Sequence, residues 1–258
     1  MIQKRFAERV VNVVKDDPGV IGLAAAGSWI NDELDEFSDL DLIIVTQQKI
    51  SDDKNRMLAY AESFGELLSG FTGEHVGEPR VLICLYNDPL LHVDIKFLTP
   101  HEFRHRIETP ALLSDTNRQL ESILKETQPK FPYPDYQWIE DRFWTWIHYA
   151  LLKIGRGEFV EALDFFGFLR MSVFGPLLHI KNGALPRGVR KMEELVPAND
   201  LDHLLSTIPT YSRASLMAGL QQSVTLYRQL RSVLYPSGII QSKAEKIVME
   251  YFEALNKK

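Results

Sequence analysis

The residues of this sequence that are best suited to chemistry are two aspartates spaced one residue apart, Asp39 and Asp41, together with Gly27 and Ser28. Ten residues separate Ser28 from Asp39, and an apolar run at positions 42–45 follows the second aspartate. Because side chains alternate along a β-strand, the two carboxylates are expected to point to the same face. Carboxylate oxygens are ligands that hard divalent cations such as Mg²⁺ prefer. The pattern therefore predicts a magnesium site beside a tight turn.

A third carboxylate, Asp94, interrupts another apolar segment at positions 91–97. Placing a carboxylate on a buried strand is costly unless it has a partner or a metal ion. Two residues of strand span about 6.6 Å, which suits carboxylates that flank a pair of metals about 3.5–4 Å apart. We interpret Asp39, Asp41 and Asp94 as metal-binding and catalytic residues. Gly27 allows the backbone to approach a phosphate closely, and Ser28 supplies hydrogen-bond donors for it.

The elements that must position these residues are short strands followed by long helices. Apolar runs predict strands over 20–26, 41–46, 81–86, 90–98 and 111–113, and helical spacing predicts a helix over 54–68. Prolines at positions 129, 132 and 134 then break the chain. Beyond them the pattern is helical over 138–154, 159–180, 212–234 and 243–255. We therefore expect a sheet-containing domain over 1–130 and an all-α helical bundle domain over 131–258.

The composition indicates an ordinary globular chain with an uneven charge. The net charge is −6, and 45% of the residues are apolar, which argues against a broad nucleic-acid surface. Residues 1–134 carry 14 Lys and Arg against 22 Asp and Glu, whereas residues 135–258 carry a net charge of +2. The single cysteine excludes an internal disulfide. Charged residues interrupt positions 1–15, and no apolar run approaches the roughly 20 residues of a membrane span. The expected location is cytoplasmic.

Gly27-Ser28, the ten-residue spacer, Asp39-Leu40-Asp41-Leu42 and the later strand residue Asp94 resemble the nucleotidyltransferase superfamily of the DNA polymerase β type. Within that superfamily, the chain is most similar to antibiotic nucleotidyltransferases of the aminoglycoside and lincosamide type. The resemblance covers residues 20–98 and is loose elsewhere. It implies an α+β fold in which a small mixed β-sheet with flanking helices precedes the helical bundle. It also implies that the aspartates bind Mg²⁺ and that the Gly-Ser turn holds the triphosphate.

The reaction implied by the resemblance transfers a nucleoside monophosphate, AMP from ATP, to a hydroxyl of a small acceptor. Asp94 is either a metal ligand or a general base toward that hydroxyl, and the sequence does not separate these roles. An acidic first half favours a cationic acceptor such as an aminoglycoside. We expect no membrane partner, and the sequence leaves the oligomeric state open.

Cations for the triphosphate are expected from the second half of the chain. Lys153 and Arg156 lie in a basic turn at the end of the first predicted helix of the bundle, and we assign both to nucleotide binding. Cations at a helix C-terminus are equally explained by their interaction with the helix dipole, so both interpretations stay open.

Two alternative functions follow from other features. The spacer at positions 29–38 contains four acidic residues, which would repel phosphate unless a metal is bound. This favours a catalytically degenerate nucleotide-binding or regulatory protein of the same fold. His101, Glu102 and His105 match the H-E-x-x-H pattern of zinc hydrolases. Here the pattern lies at the start of a short predicted helix after Thr99-Pro100, where a solvent-facing helical turn is the competing interpretation.

Overall fold

The computed structural model describes residues 1–257. The chain divides into two compact units, Met1–Phe131 and Pro132–Lys258. The first contains a six-stranded mixed sheet with helices, and the second is helical. The predicted α+β class, with a mixed sheet followed by a helical region, is confirmed.

The sheet of the first unit has the strand order β3-β4-β5-β2-β1-β6. Strands β2 and β5 run parallel, and the other four neighbouring pairs are antiparallel. The parallel pair lies in the interior of the sheet, where both strands have neighbours on each side. The strands are β1 Val20–Ala25, β2 Leu40–Thr46, β3 Leu67–Gly73, β4 Glu78–Tyr86, β5 Leu91–Leu98 and β6 Ala111–Asp115.

Helices pack on both faces of this sheet and bury one stripe of apolar residues each. They are α1 Ile2–Val14, α2 Lys54–Ser63, α3 Pro100–Phe103 and α4 Gln119–Glu126. One core joins α1 and α2 to the sheet through Phe6, Val10, Met57, Ala61, Leu40, Leu42, Val93 and Ile95. A smaller core joins α3 and α4 to it through Ile21, Val45, Leu98, Phe103, Leu120 and Ile123. This burial of apolar surface against the sheet is the main favourable contribution to folding.

The prediction of one helix over 54–68 is wrong over its last five residues. Helix α2 ends at Ser63, and Leu67 already begins strand β3. The apolar residues after Ser63 follow helical spacing in the sequence, but residues 67–73 pair with β4 instead. Because strand pairing is a contact distant in sequence, local periodicity does not reveal it. Helix α4, which follows β6, was likewise not predicted.

The second unit is a bundle of helices around one apolar core. Its helices are α5 Tyr136–Arg156, α6 Phe159–Leu169, α7 Gly175–Lys181, α8 Met192–Leu195, α9 Ala198–Leu205, α10 Arg213–Leu234 and α11 Ala244–Asn256, with a π-helical turn at Arg170–Phe174 between α6 and α7. The continuous helical segment Phe159–Lys181 is long and apolar enough to cross a membrane by length and composition, and half of its most apolar window is buried inside the fold. This corrects the expectation that no apolar run approaches that length. The packing of this segment in the core accounts for its composition.

A buried carboxylate, Glu140, lies in the helical unit and is fully enclosed. It accepts hydrogen bonds from Tyr227 Oη at 2.5 Å, Arg231 Nη1 at 3.1 Å, Trp144 Nε1 at 3.3 Å and the Ser242 N–H at 2.9 Å. Burial raises the pKa of this carboxyl, but the donors around it outweigh burial and hold the pKa below its usual range. Glu140 therefore links α5 to α10 and to the segment before α11.

Candidate active site

Two carboxylates lie side by side on the parallel strands of the first unit. Asp41 on β2 is the register partner of Asp94 on β5. Residues paired across neighbouring strands project to the same face of a sheet. Leu40 and Leu42, on either side of Asp41, are buried in the core of the opposite face. The alternation of the two strands therefore directs both carboxylates away from that core.

Asp39 precedes β2 by one residue and lies close enough to Asp94 for their charges to interact. Burial is the largest cause of a raised pKa at Asp94, and the negative charge of Asp39 adds to it. His92 opposes both effects, because its Nε2 lies 2.9 Å from Asp94 Oδ1. The alternation of β5 places His92 on the same face as Asp94, and their spacing of two residues in the sequence is consistent with this contact. Strand pairing and this charge interaction thus place Asp41 and Asp39 each near Asp94.

The Gly27-Ser28 turn lies directly beside Asp41. Residues Gly27–Trp29 form a single 3₁₀ turn after β1, and Gly27 has a positive φ of 59°. A Cβ at this position would collide with Asp41 Oδ2. The backbone conformation therefore favours glycine here, and a Cβ would in addition displace the Asp41 carboxylate. Ser28 is the middle residue of this turn and is half-buried.

A fourth carboxylate, Glu108, contacts the same turn. The Gly27 N–H donates a hydrogen bond to Glu108 Oε1 at 3.0 Å. The contact arises because β6 pairs with β1 in an antiparallel arrangement, with Ala25 opposite Ala111. The segment before β6 therefore runs alongside the turn that follows β1. Glu108 was not among the predicted site residues, since nothing local to it predicts which strand borders β1.

The aspartates fit a divalent cation in chemistry and in backbone position. They supply anionic oxygen ligands, and two of them are immediate neighbours across the parallel strand pair. Their mutual repulsion would be relieved by a bound cation. However, no group of three or more His, Cys, Asp or Glu side chains among residues 1–257 is arranged as a ready metal site. Asp94 is instead hydrogen-bonded to His92 in this structure.

The two cations assigned to nucleotide binding lie at the end of α5 in the second unit. Lys153 Nζ forms ion pairs with Glu158 at 2.8 Å and with Glu161 at 3.0 Å. Arg156 is largely exposed, and its Nη1 lies 3.9 Å from Glu158. Acidic residues of the same unit therefore partner both side chains, and a role in phosphate binding stays a prediction.

The H-E-x-x-H pattern does not lie on a long helix. Helix α3 ends at Phe103, before the second histidine, although the His101 and His105 rings are 5.5 Å apart. The Glu102 carboxylate accepts hydrogen bonds from the Thr99 N–H at 2.8 Å and from Thr99 Oγ1 at 2.9 Å. The Glu102 N–H in turn donates to Thr99 Oγ1 at 3.3 Å, and together with the bond from the Thr99 N–H this forms a capping box at the start of α3. This arrangement gives Glu102 a structural role instead of that of a base beside zinc.

Comparison with known proteins gives likenesses in structure only. No family model matches the sequence, and no curated protein matches it. The chain is similar to an aminoglycoside 6-adenyltransferase from Bacillus subtilis, with 14% identity, a TM-score of 0.42 and 99% of each chain covered. It is also similar to a nucleotidyltransferase-like protein from Exiguobacterium sibiricum 255-15, with 12% identity, a TM-score of 0.38 and coverage of 100% of this chain and 81% of the other. At such scores the function has to be inferred from the site itself.

Proposed function

We propose that this protein is a metal-dependent nucleotidyltransferase that transfers AMP from ATP to a hydroxyl of a small acceptor. The observation that carries the proposal is the register pairing of Asp41 with Asp94 directly beside the Gly27 turn. Anionic metal ligands and a glycine turn able to approach phosphate are two features that together suit phosphoryl transfer. Their spacing in the sequence also carries the resemblance to the nucleotidyltransferase superfamily.

Each residue then has a defined task. Asp39, Asp41 and Asp94 would hold Mg²⁺, which supplies charge neutralisation at the α-phosphate and activates the attacking hydroxyl. The turn formed by Gly27 and Ser28 would donate hydrogen bonds to the triphosphate. The acceptor oxygen forms the new bond to the α-phosphorus as the bond to pyrophosphate breaks. In the alternative role, in which Asp94 is a general base and not a metal ligand, the rise of its pKa by burial suits it to receive the proton of that hydroxyl.

The acceptor that we propose is cationic, of the aminoglycoside type, with a lincosamide-type antibiotic as the alternative. Residues 1–134 carry a net charge of −8, which attracts a polycation to the first unit. Added salt should therefore weaken acceptor binding, since exposed charges are screened over about 10 Å at 0.1 M ionic strength. Acceptor binding that does not depend on salt would contradict this choice.

A second candidate is a nucleotide-binding protein of the same fold that has no transferase activity. Glu108 occupies a backbone donor of the turn that the proposed mechanism needs for phosphate. The acidic spacer over residues 29–38 adds further negative charge next to that turn. Both features oppose the binding of a free triphosphate, which would suit a protein that senses the metal-bound nucleotide.

Labelled ATP separates the two candidates. The full-length protein is incubated with ATP and MgCl₂ and a panel of amino sugars and other small hydroxyl compounds, and pyrophosphate release is measured. Transfer that needs both metal and one acceptor supports the enzyme. Calorimetric binding of Mg-ATP without pyrophosphate release across the panel supports the sensor. If neither ATP nor Mg-ATP binds, both candidates are contradicted.

A further inference from the structure

The carboxylate of Glu108 contacts the turn that the proposed function assigns to the triphosphate. Its Oε1 accepts the Gly27 N–H at 3.0 Å. Gly27 has no side chain and a positive φ, so the carboxylates of Glu108 and Asp41 both approach its backbone closely. An anionic oxygen from elsewhere in the same unit is therefore already bound to the donor that the proposed function assigns to the triphosphate.

We propose that Glu108 is a specificity-determining residue that competes with the nucleotide for the Gly27 amide and restricts binding to the metal-bound form. The inference rests on the proposed function, because it assumes that this turn binds phosphate. It concerns a residue that is neither a ligand of the expected metal nor part of the Gly-Ser motif.

Glu108 and a phosphate compete because the Gly27 N–H cannot donate to both at once. One N–H has one hydrogen, and a carboxylate oxygen and a phosphate oxygen both need it as acceptors. The nucleotide can bind there only when Glu108 leaves. Charge adds to this cost, since Asp41 Oδ2 also lies against Gly27, where a Cβ would otherwise be. A free triphosphate would approach two carboxylates, whereas a metal-bound triphosphate carries less negative charge.

A purely structural role for Glu108 makes the opposite prediction. If the carboxylate serves to hold the Gly27 turn in shape, removing it loosens the turn and weakens nucleotide binding. If the carboxylate is a competitor, removing it frees the amide and strengthens binding. The sign of the change in affinity therefore distinguishes the two roles without any measurement of turnover.

The test is calorimetric titration of the full-length protein with ATP, once with EDTA and once with MgCl₂. Glu108→Ala is compared with wild type and with Glu62→Ala, which removes an exposed carboxylate of α2 in the same unit. We expect Glu108→Ala to bind metal-free ATP about tenfold more tightly than wild type, the size of one hydrogen bond to a charged group. The gain should be smaller with MgCl₂, and Glu62→Ala should match wild type.

Glu108→Gln removes the charge but keeps an acceptor for the amide, so its affinity for metal-free ATP should lie between the other two. Unchanged or weaker ATP binding by Glu108→Ala, with wild-type binding intact, overturns the inference and leaves the proposed function standing. Failure of wild type and all variants to bind ATP under either condition overturns both. Cooperative thermal unfolding checks the fold, and if both Glu108 variants are unfolded, the residue is structural and the inference is wrong.

Discussion

Asp41 and Asp94 are opposite each other on β2 and β5, the parallel pair of the sheet. They are far apart in the sequence, but the backbone hydrogen bonds between the two strands hold them at neighbouring positions. Two carboxylates are thereby brought to one face of the sheet beside a glycine turn, where burial raises the pKa of Asp94 and His92 partly offsets that rise. This convergence of acidic side chains beside a glycine turn is what the proposed metal site requires.

Replacing either carboxylate of the pair should abolish transfer. Asp41→Asn and Asp94→Asn each remove a negative charge from the proposed metal site, and we expect kcat/KM to fall by about a hundredfold or more. The control is Asp16→Asn, which changes an exposed aspartate after α1. Near-native turnover in both site variants would contradict the proposal that transfer depends on a metal bound by these aspartates.

Asp94→Asn should lower activity without lowering the stability of the metal-free protein. In the absence of metal, Asp94→Asn removes a partly buried charge that Asp39 repels, while an amide oxygen can still bond to His92. We expect the melting temperature in EDTA to stay equal to that of wild type or to rise. A large fall in melting temperature would mean that the carboxylate stabilises the metal-free fold.

Gly27→Ala should be more damaging than the same change at another glycine with positive φ. Gly77 has a φ of 77° and open space where a Cβ would lie, so Gly77→Ala reports backbone strain alone, about 1–2 kcal/mol. Gly27→Ala adds the collision with Asp41. Denaturant unfolding should show the larger loss at position 27, and nucleotide binding should weaken only there. Equal losses at the two positions would contradict the close approach.

Glu78 should contribute to acid sensitivity. The Arg80 guanidinium, whose Nε lies 2.6 Å from Glu78 Oε1, is the main cause that lowers the pKa of Glu78 to about 2, and Lys96 adds to it. A lowered native pKa gives stability that is present above the unfolded value of 4.5 and is lost as the pH falls toward 2.

The measurement for Glu78 is the free energy of unfolding of wild type and Glu78→Gln between pH 7 and pH 2. The difference should be on the order of 1 kcal/mol at neutral pH and should shrink below about pH 4.5. Glu62→Gln, on an exposed face of α2, should show no such trend. A difference that is constant across this range would exclude the pairing of Glu78 as its source.

Glu140 should be the most sensitive polar position of the helical unit. Glu140→Ala leaves the buried Tyr227 hydroxyl and the Arg231 guanidinium without this acceptor, and we expect a loss of about 3–5 kcal/mol. Glu253→Ala, at an exposed position of α11, is the matched control. Chemical denaturation followed by circular dichroism gives both values, and a loss below about 1 kcal/mol at Glu140 would indicate that water replaces the carboxylate.

Local sequence patterns predict those elements whose structure depends mainly on the periodicity of nearby apolar residues. The apolar run after Asp41 predicts β2, and the α+β class follows from the resemblance together with the change of period after the prolines. Strand β3 and the contact of Glu108 with Gly27 could not be predicted from the sequence, because both depend on which strands become neighbours in the sheet. The start of a short helix after Thr99-Pro100 was predicted, and the structure adds that Glu102, which is also part of the H-E-x-x-H pattern, completes a capping box with Thr99.

The parallel pairing of β2 with β5 has a consequence for how this chain tolerates change. The excursion from the end of β2 to the start of β5 passes through α2, β3 and β4, and the 3₁₀ turn Glu74–Val76 lies at its tip. Residues inserted into that turn would lengthen the connection between β2 and β5 without changing the strand pairing of Asp41 with Asp94. The tip is thus a natural place to attach a reporter or a tether, with the separation of the two carboxylates left unaltered.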